Sequence, residues 1–258
     1  MKTTAYLGTH PGTRPRIFAH RGLTFSGDSQ IADENTLNSF ELALAAGADY
    51  LESDIQVTKD QVPVLFHDRD LKRLLGKNTL ISDLTLSDLK EISLPHSGRI
   101  PTLEQALTEF PEAKFNLDLK TPSAEIVGIE MILALDAQDR VLISSFSEAS
   151  RKRALARVAT PLASSAGSSK VLASYLLARA GAQKALAREV QEIVALQIPL
   201  KRYGIDFTHP RFLQKILSTG IEIHYWTVND PKLMQDLHAL GAHGIVTDRA
   251  DIAMRTFS

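Results

Sequence analysis

Glu52 and Asp54 are the residues of this chain whose spacing most directly suggests chemistry. In an extended strand alternate side chains share a face, so these two carboxylates would lie on one side, about 7 Å apart. Leu51 and Ile55 would occupy the opposite face, and if helices bury that face, the carboxylates point inward. Two inward carboxylates repel each other and lose hydration unless a cation lies between them. The pattern therefore predicts a candidate cation site.

The residues that follow predict a β-hairpin that carries a histidine. The polar segment Thr58 to Gln61 is typical of a tight turn, and Val62 to Phe66 is typical of a returning strand. If the turn centres on its two middle residues, the hairpin brings His67 back roughly opposite Glu52. One hairpin would then supply both a cation site and a residue that carries a proton.

Further polar residues that follow predicted strands suit phosphoester chemistry. Three carboxylates hold a hard divalent cation well, because such ions prefer oxygen ligands. The cation and two basic side chains would neutralise the phosphate oxygens, and two histidines would act in turn as base and acid. The candidates at these strand ends are His20, Arg21, Glu34, Glu52, Asp54, His67, Asp118 and Lys120.

Each candidate also has a structural interpretation that the sequence leaves open. The two strand carboxylates could form a buried salt-bridge network with Arg21 or Lys120 instead of binding metal. Glu34 could cap a helix or support a neighbouring ligand. Trp226 could be a wall of the substrate site or a core aromatic, and His224 is expected on the same inward face. Convergence of the whole set at one place is what indicates function.

Strand-like and helix-like segments alternate along most of the chain, which indicates a parallel sheet. The segment Val62 to Phe66 is an exception, because its loop is too short for a parallel crossover. The eight strands that remain, in about 250 residues, predict a single-domain (β/α)8 TIM barrel with its active site at the C-terminal strand ends. These strands are Ile17–His20, Tyr50–Val57, Phe115–Lys120, Val141–Phe146, Thr160–Ala163, Glu192–Pro199, Glu222–Val228 and Gly244–Asp248.

Local signals mark the first helices and one insertion. Asn35 or Thr36 is predicted to cap the helix after the first strand, and Thr102 begins a capping-box pattern. The segment between the hairpin and that second cap, about residues 68–100, is predicted to be a small, irregular, polar insertion with one short helix over residues 87–92.

The composition excludes several other classes of protein. The 258 residues carry a formal net charge of −1, so no overall field attracts nucleic acid or an anionic membrane. The lack of cysteine excludes disulfides, thiolate catalysis and zinc sites with sulfur ligands. Because no segment has the character of a signal peptide or a membrane span, we expect a cytoplasmic protein without stable membrane association. The expected partner is a small-molecule substrate, and no oligomeric state is predicted.

Eight short motifs occur along the chain in a specific order. The first four are AHRG at 19–22, ENT at 34–36, ESD at 52–54 and FHD at 66–68, and the others are NLDLK at 116–120, SSF at 144–146, YWTV at 225–228 and IVTD at 245–248. In this order and spacing they resemble the glycerophosphodiester phosphodiesterase family. The resemblance covers nearly the whole chain.

The resemblance implies a TIM-barrel enzyme that hydrolyses glycerophosphodiesters to glycerol 3-phosphate and an alcohol. It implies a first attack by the neighbouring glycerol hydroxyl, through a cyclic phosphate. It also implies one divalent cation. From the oxygen ligands we expect Mg²⁺, with Ca²⁺ or Mn²⁺ as alternatives. By matching positions, the resemblance implies that the metal ligands are Glu52, Asp54 and Asp118. It also implies that His20 and His67 are the acid–base pair and that Arg21 and Lys120 bind the phosphate.

Asp118 departs from the family's usual pattern, which has Glu-x-Lys at this place. Since Asp is one methylene shorter than Glu, the third ligand is expected to bind through water or to need a shifted strand. The related spider-venom sphingomyelinase D enzymes are similar in having Asp there, which implies an intact site.

Two other functions stay open. A lysophospholipase D-like phosphodiesterase that acts on lysophospholipids would need an apolar collar at the barrel mouth, which Leu74, Leu75 and residues 171–177 could supply. A barrel that binds phosphodiesters without turnover is the alternative outside the enzymes.

Overall fold

The computed structural model describes residues 4–159 and 161–258. The strands are β1 (Arg16–His20), β2 (Phe25–Ser26), β3 (Ser29–Gln30), β4 (Tyr50–Val57), β5 (Pro63–Leu65), β6 (Phe115–Leu119), β7 (Val141–Ser144), β8 (Ala163–Ser164), β9 (Ala195–Ile198), β10 (Lys201–Arg202), β11 (Ile205–Asp206), β12 (Glu222–Tyr225) and β13 (Gly244–Thr247). The helices are α1 (Leu37–Ala45), α2 (Lys72–Leu75), α3 (Leu86–Lys90), α4 (Leu103–Glu109), α5 (Ala124–Ala134), α6 (Glu148–Leu155), α7 (Ser168–Arg179), α8 (Gln183–Glu189), α9 (Pro210–Leu217), α10 (Pro231–Ala239) and α11 (Ala250–Thr256), with 3₁₀ turns at Ile81–Asp83 and Gln138–Arg140.

Eight parallel strands form a nearly closed barrel in the order β8-β7-β6-β4-β1-β13-β12-β9. The two ends of this order meet where the Val194 N–H donates to the Ser164 carbonyl at 3.0 Å and Ser165 bridges to Ala195. The predicted (β/α)8 barrel is therefore confirmed. Thr160, which begins the predicted fifth strand, lies outside the described residues.

The main hydrophobic core lies between the outer faces of the barrel strands and the helices around them. Leu51 and Ile55 belong to this core and are fully buried, together with Phe115 and Leu117 of the neighbouring strand β6. Because side chains alternate along a strand, the intervening carboxylates of β4 point into the barrel, as the sequence predicts.

The N-terminal end of the barrel interior holds a buried polar network. Arg16 donates from Nε to Glu222 at 3.0 Å and from Nη1 to the Tyr50 hydroxyl at 3.0 Å, and His224 Nε2 lies 2.9 Å from Glu222. Tyr6, from the segment before β1, is buried against Tyr50. His224 therefore faces inward as expected, but it belongs to this network. Charges so deep in a barrel are tolerated when they are paired and hydrogen-bonded.

The predicted hairpin is present, with β5 antiparallel to β4. Its register pairs Ile55 with Leu65, and the Phe66 N–H donates to the Asp54 carbonyl at 2.9 Å. Continuing this register puts His67 opposite Ser53, so the predicted position opposite Glu52 is wrong by one residue.

The insertion after the hairpin is more ordered than the sequence predicts. It contains α2, a 3₁₀ turn and α3, whereas one short helix is predicted. It also has a small apolar core of its own, in which Phe66, Leu71, Ile81 and Leu89 are buried. The predicted short helix is present as α3, but the rest of the segment is more ordered than predicted, because scattered leucines and isoleucines pack together without a helical period. Hairpin β10–β11 is likewise absent from the sequence prediction.

The predicted caps are confirmed. Thr36 caps α1 in a capping box with Ser39, and Thr102 caps α4 in a capping box with Gln105. In residues 4–159 and 161–258, no helix has the length and apolar character needed to cross a bilayer.

Candidate active site

A cavity of about 570 Å³ opens at the C-terminal ends of the barrel strands. Most of the predicted site residues line it: His20, Arg21, Glu52, Asp54, His67, Asp118, Lys120 and Trp226. Glu34 is not among the lining residues. The barrel thus brings together side chains that are up to 206 positions apart in the chain, because parallel strands end on the same side.

Glu52 and Asp54 lie side by side with their neighbours on adjacent strands. Glu52 pairs across β4 with His20 and Asn116, and Asp54 pairs with Asp118. Burial, and then the charge of Asp54, raise the pKa of Glu52 to about 7. The surroundings therefore compensate the negative charge of Glu52 less well than that of Asp54.

Basic side chains compensate the charge of Asp54. Lys120 Nζ lies 2.8 Å from Asp54 Oδ1, and Arg21 Nε lies 3.5 Å from Asp54 Oδ2. Although burial favours the neutral acid, Lys120 and Arg21 hold the pKa of Asp54 below its ordinary value. The Asn35 amide also donates to Asp54 at 3.2 Å, so the ENT motif orients this carboxylate.

Lys120 also separates Asp54 from Asp118. Its Nζ lies 2.7 Å from Asp118 Oδ2, and the Ser144 hydroxyl donates to Asp118 Oδ1 at 3.0 Å. Across the part of the chain that the structure describes, no three Asp, Glu or His side chains converge in ligand geometry. The three predicted metal ligands therefore face one cavity without forming a preassembled trio.

The residues present nevertheless fit a hard cation. Asn116 Oδ1 is buried beside Glu52, and it has no hydrogen-bond partner among the described residues. An unpartnered buried amide oxygen next to a carboxylate with a raised pKa would be satisfied by a cation that prefers oxygen ligands. The sequence analysis did not select Asn116, although its place two residues before Asp118 puts it on the same strand face.

His20 is held by a carboxylate from the last barrel strand. Its Nδ1 lies 2.6 Å from Asp248 Oδ1, and its Nε2 lies 3.9 Å from Glu52 Oε2. Burial lowers the pKa of His20, but Glu52 and Asp248 together raise it above its ordinary value. Asp248 was not predicted as a site residue, although its position just after a barrel strand is the signal used for the other candidates.

His67 has an equivalent partner in the next residue. Its Nδ1 lies 2.8 Å from Asp68 Oδ1, and Arg73 Nε donates to Asp68 Oδ2 at 2.6 Å. Arg73, from α2 in the insertion, also forms an ion pair with Glu34. The insertion thus connects the hairpin histidine to the first loop, which sequence patterns did not indicate.

Arg21 owes its position to an unusual backbone and to Glu34. Its φ is 58°, and the next residue, Gly22, has φ 85°. A Cβ on Gly22 would lie 2.7 Å from the Ser39 carbonyl carbon, so only glycine fits there. Glu34 Oε1 accepts from Arg21 Nη1 at 3.0 Å. Glu34 therefore supports Arg21 from outside the cavity.

The far wall of the cavity is aromatic and apolar. Trp226 meets Phe146 edge-to-face at 5.8 Å between ring centroids. Val171 and Leu172 of α7 also line the cavity. Leu74 and Leu75 pack against the small core of the insertion and are not among the lining residues, so they do not supply the apolar collar that a lysophospholipase D-like enzyme would need.

Comparison with known proteins decides the family. Residues 20–252 match the Glycerophosphoryl diester phosphodiesterase family. The chain belongs to this family. It is 36% identical over 235 residues to the probable glycerophosphodiester phosphodiesterase 2 of Mycobacterium tuberculosis. This alignment covers 91% of this chain and 87% of that protein.

Solved structures share the barrel fold of the present chain. The crystal structure of a glycerophosphodiester phosphodiesterase from Thermotoga maritima has a TM-score of 0.73 at 25% identity and covers 94% of this chain and 98% of that chain. A phosphodiesterase from Oleispira antarctica has a TM-score of 0.74 at 23% identity. The alignment covers 98% of this chain and 99% of that chain. The predicted family and enzyme class are confirmed.

Proposed function

We propose that this enzyme uses one divalent cation and the pair His20 and His67 to cleave glycerophosphodiesters into glycerol 3-phosphate and an alcohol. The observation that carries the proposal is the matched support of the two imidazoles. Both line one cavity, and each has its Nδ1 within 2.8 Å of a carboxylate. A carboxylate at Nδ1 fixes the tautomer and leaves Nε2 as the atom that exchanges protons.

The two imidazoles would act on opposite sides of the phosphorus. One accepts the proton of the neighbouring glycerol hydroxyl as that oxygen bonds to phosphorus, and the other donates a proton to the departing alcohol oxygen. The product of this step is a cyclic phosphate. Water then opens the ring, with the roles of the two imidazoles reversed, and glycerol 3-phosphate leaves.

We infer that Glu52, Asp54 and Asp118 are the residues that would hold the cation. When bound, the cation would supply positive charge to the phosphate oxygens. Arg21 and Lys120 would bind oxygens of the same phosphate, which is consistent with their location beside Asp54. Mg²⁺ is the preferred ion, because it keeps several waters in its shell.

A structural relative gives independent support for the product. The Oleispira antarctica phosphodiesterase was solved in complex with the product sn-glycerol-3-phosphate. Its barrel aligns with nearly all of this chain, and this shared fold supports the proposal that the same kind of product forms here.

The decisive experiment measures glycerol 3-phosphate release from glycerophosphocholine before and after removal of divalent cations by a chelator. We expect activity to be lost with the chelator and restored by Mg²⁺. Binding of the diester without any release under all metal conditions would contradict the proposal and favour a non-catalytic barrel. Release of alcohol from lysophosphatidylcholine, with no activity on the water-soluble diester, would favour a lysophospholipase D.

A further inference from the structure

Arg202 differs from the other basic groups that line the active-site cavity. Arg21 lies 3.0 Å from Glu34, and Lys120 lies within 2.8 Å of two aspartates. His20 and His67 each have their own aspartate, at 2.6 Å and 2.8 Å. Within residues 4–159 and 161–258, by contrast, no carboxylate oxygen comes within 4 Å of the Arg202 guanidinium. The cavity therefore has one basic side chain whose charge is available to a ligand.

Arg202 is positioned beside an aromatic ring of the cavity by the β10–β11 hairpin. It lies at the end of β10, in a tight hairpin whose turn residues Tyr203 and Gly204 have φ of 50° and 75°. Its guanidinium carbon is 5.5 Å from the centre of the Phe146 ring, while Lys120 Nζ is 5.8 Å from the same ring. The Phe146 ring therefore contacts both Lys120, a proposed phosphate ligand, and Arg202.

Two aromatic rings beside Arg202 already interact with the chain's own cations. Phe146 interacts with both Lys120 and Arg202, and the exposed Tyr203 ring lies 5.0 Å from Arg202. An aromatic cage binds a quaternary ammonium only when ring faces are free and the surrounding charge is not positive. The positive charge of Arg202 therefore disfavours choline and favours an anion in this part of the cavity, which Ser168 and Ser169 also line.

We propose that Arg202 determines substrate specificity by binding an anionic group on the alcohol part of the substrate. Diesters whose alcohol carries a phosphate or a carboxylate would then be better substrates than diesters of choline. A guanidinium presents paired N–H donors that match either group. This inference rests on the proposed hydrolysis of glycerophosphodiesters, and it names the class of substrate for that same cavity.

The test compares three glycerophosphodiesters that differ in the charge of the alcohol. The alcohols are glycerol phosphate, which is anionic, glycerol, which is neutral, and choline, which is cationic. We expect kcat/KM for the parent enzyme to be highest for the anionic alcohol and lowest for choline, with a total range on the order of tenfold or more, as one charge-assisted hydrogen bond provides.

Variants of adjacent hairpin residues separate the role of Arg202 from a general effect of charge. Arg202→Gln should reduce the ratio of kcat/KM between the anionic and neutral diesters by on the order of tenfold, and Arg202→Lys should reduce it less. Lys201→Gln is the matched control, because Lys201 is exposed, pairs with Asp206 at 3.9 Å and does not line the cavity. It should leave the ratio unchanged.

Each outcome bears on a specific claim. Turnover of all three diesters with no preference by charge, an equal loss on all three in Arg202→Gln, or a preference of the parent for choline would each overturn the role of Arg202. Failure of the parent enzyme to hydrolyse any diester, with metal present, would instead overturn the proposed function. Circular dichroism of each variant confirms that the comparison is between folded proteins.

Discussion

His20 Nδ1 and Asp248 Oδ1 lie 2.6 Å apart across two neighbouring barrel strands, β1 and β13. Asp248 is itself held in place, because the Asn229 amide donates to its other carboxylate oxygen at 2.7 Å. Burial raises the pKa of Asp248, but the hydrogen bond and charge of His20 lower it below its ordinary value. An ionised aspartate so placed orients the imidazole and stabilises its charged form.

The first prediction is that Asp248→Asn lowers kcat on the order of 10²-fold or more without unfolding the protein. The amide cannot stabilise imidazolium and can favour the wrong tautomer, so the pH at half-maximal activity should also shift. The measurement is the pH profile of kcat and kcat/KM. Asp236→Asn, on an exposed face of α10, is the control and should match the parent. An unaltered pH profile for Asp248→Asn would argue against a role in proton transfer.

The second prediction concerns the two histidines as a pair. His20→Ala and His67→Ala should each lower kcat on the order of 10²-fold or more, since each removes one proton-transfer group. The double variant should lose less than the product of the single losses, because groups that act as a unit are not additive. Steady-state kinetics on the four proteins tests this, with His96→Ala at an exposed position as control. Full activity of His67→Ala would remove the hairpin histidine from the mechanism.

Much of the active site follows from local sequence patterns. The alternation over residues 50–57 is enough to predict that Glu52 and Asp54 point into the barrel, because the period of a strand is two. The hairpin is predicted by its polar turn, yet a one-residue difference in register moves His67 from Glu52 to Ser53. Turn position is less well determined than strand identity, since several turn types suit the same polar segment.

Other parts of the site depend on contacts that no local pattern contains. Asp248 reaches His20 only because β13 closes against β1, at a separation of 228 residues. Arg73 lies in an insertion without helical periodicity, so its bond to Asp68 could not be inferred. The position of Lys120 between Asp54 and Asp118 is also a tertiary result, because the sequence predicts only that these side chains share one end of the barrel.

The third prediction tests the proposed cation ligands. Glu52→Gln and Asp54→Asn should each abolish binding of divalent cations and activity, because an amide supplies no negative charge to a hard cation. The near-isosteric changes should leave the fold intact. Titration with Mg²⁺ by calorimetry on the folded variants is the measurement, and Glu109→Gln on the exposed end of α4 is the control. Undiminished Mg²⁺ affinity in either variant would exclude that residue as a ligand.

The fourth prediction concerns stability in acid. Burial raises the pKa of Glu222, but its hydrogen bonds with His224 and Arg16 lower it to about 2, below its ordinary value of 4.5. The unfolded chain therefore binds a proton in a pH range where the folded protein does not. The stabilisation is complete above about pH 4.5 and decreases as the pH falls towards 2, with a total on the order of 3 kcal/mol.

Glu222→Gln should accordingly lower the free energy of unfolding at pH 7 and flatten its dependence on pH between about 5 and 3. Part of this loss arises because the variant leaves the buried Arg16 without its partner. Urea unfolding at several pH values measures both effects. Glu41→Gln, at an exposed position of α1, should retain the parent's pH dependence. An equal dependence on pH in Glu222→Gln would show that another group is responsible.

The last prediction concerns Asp118, which Lys120 contacts at 2.7 Å and Ser144 at 3.0 Å. If Asp118 completes the cation site, Asp118→Asn should lose most activity, because it removes a charge that both the cation and Lys120 use. Asp118→Glu restores the residue usual in the family, so it should keep substantial activity and shift the preference among Mg²⁺, Mn²⁺ and Ca²⁺. The measurement is kcat/KM for the three proteins with each metal. If Asp118→Asn matches the parent with every metal, Asp118 serves only to hold Lys120, and the Asn116 amide oxygen becomes the next candidate for the third ligand.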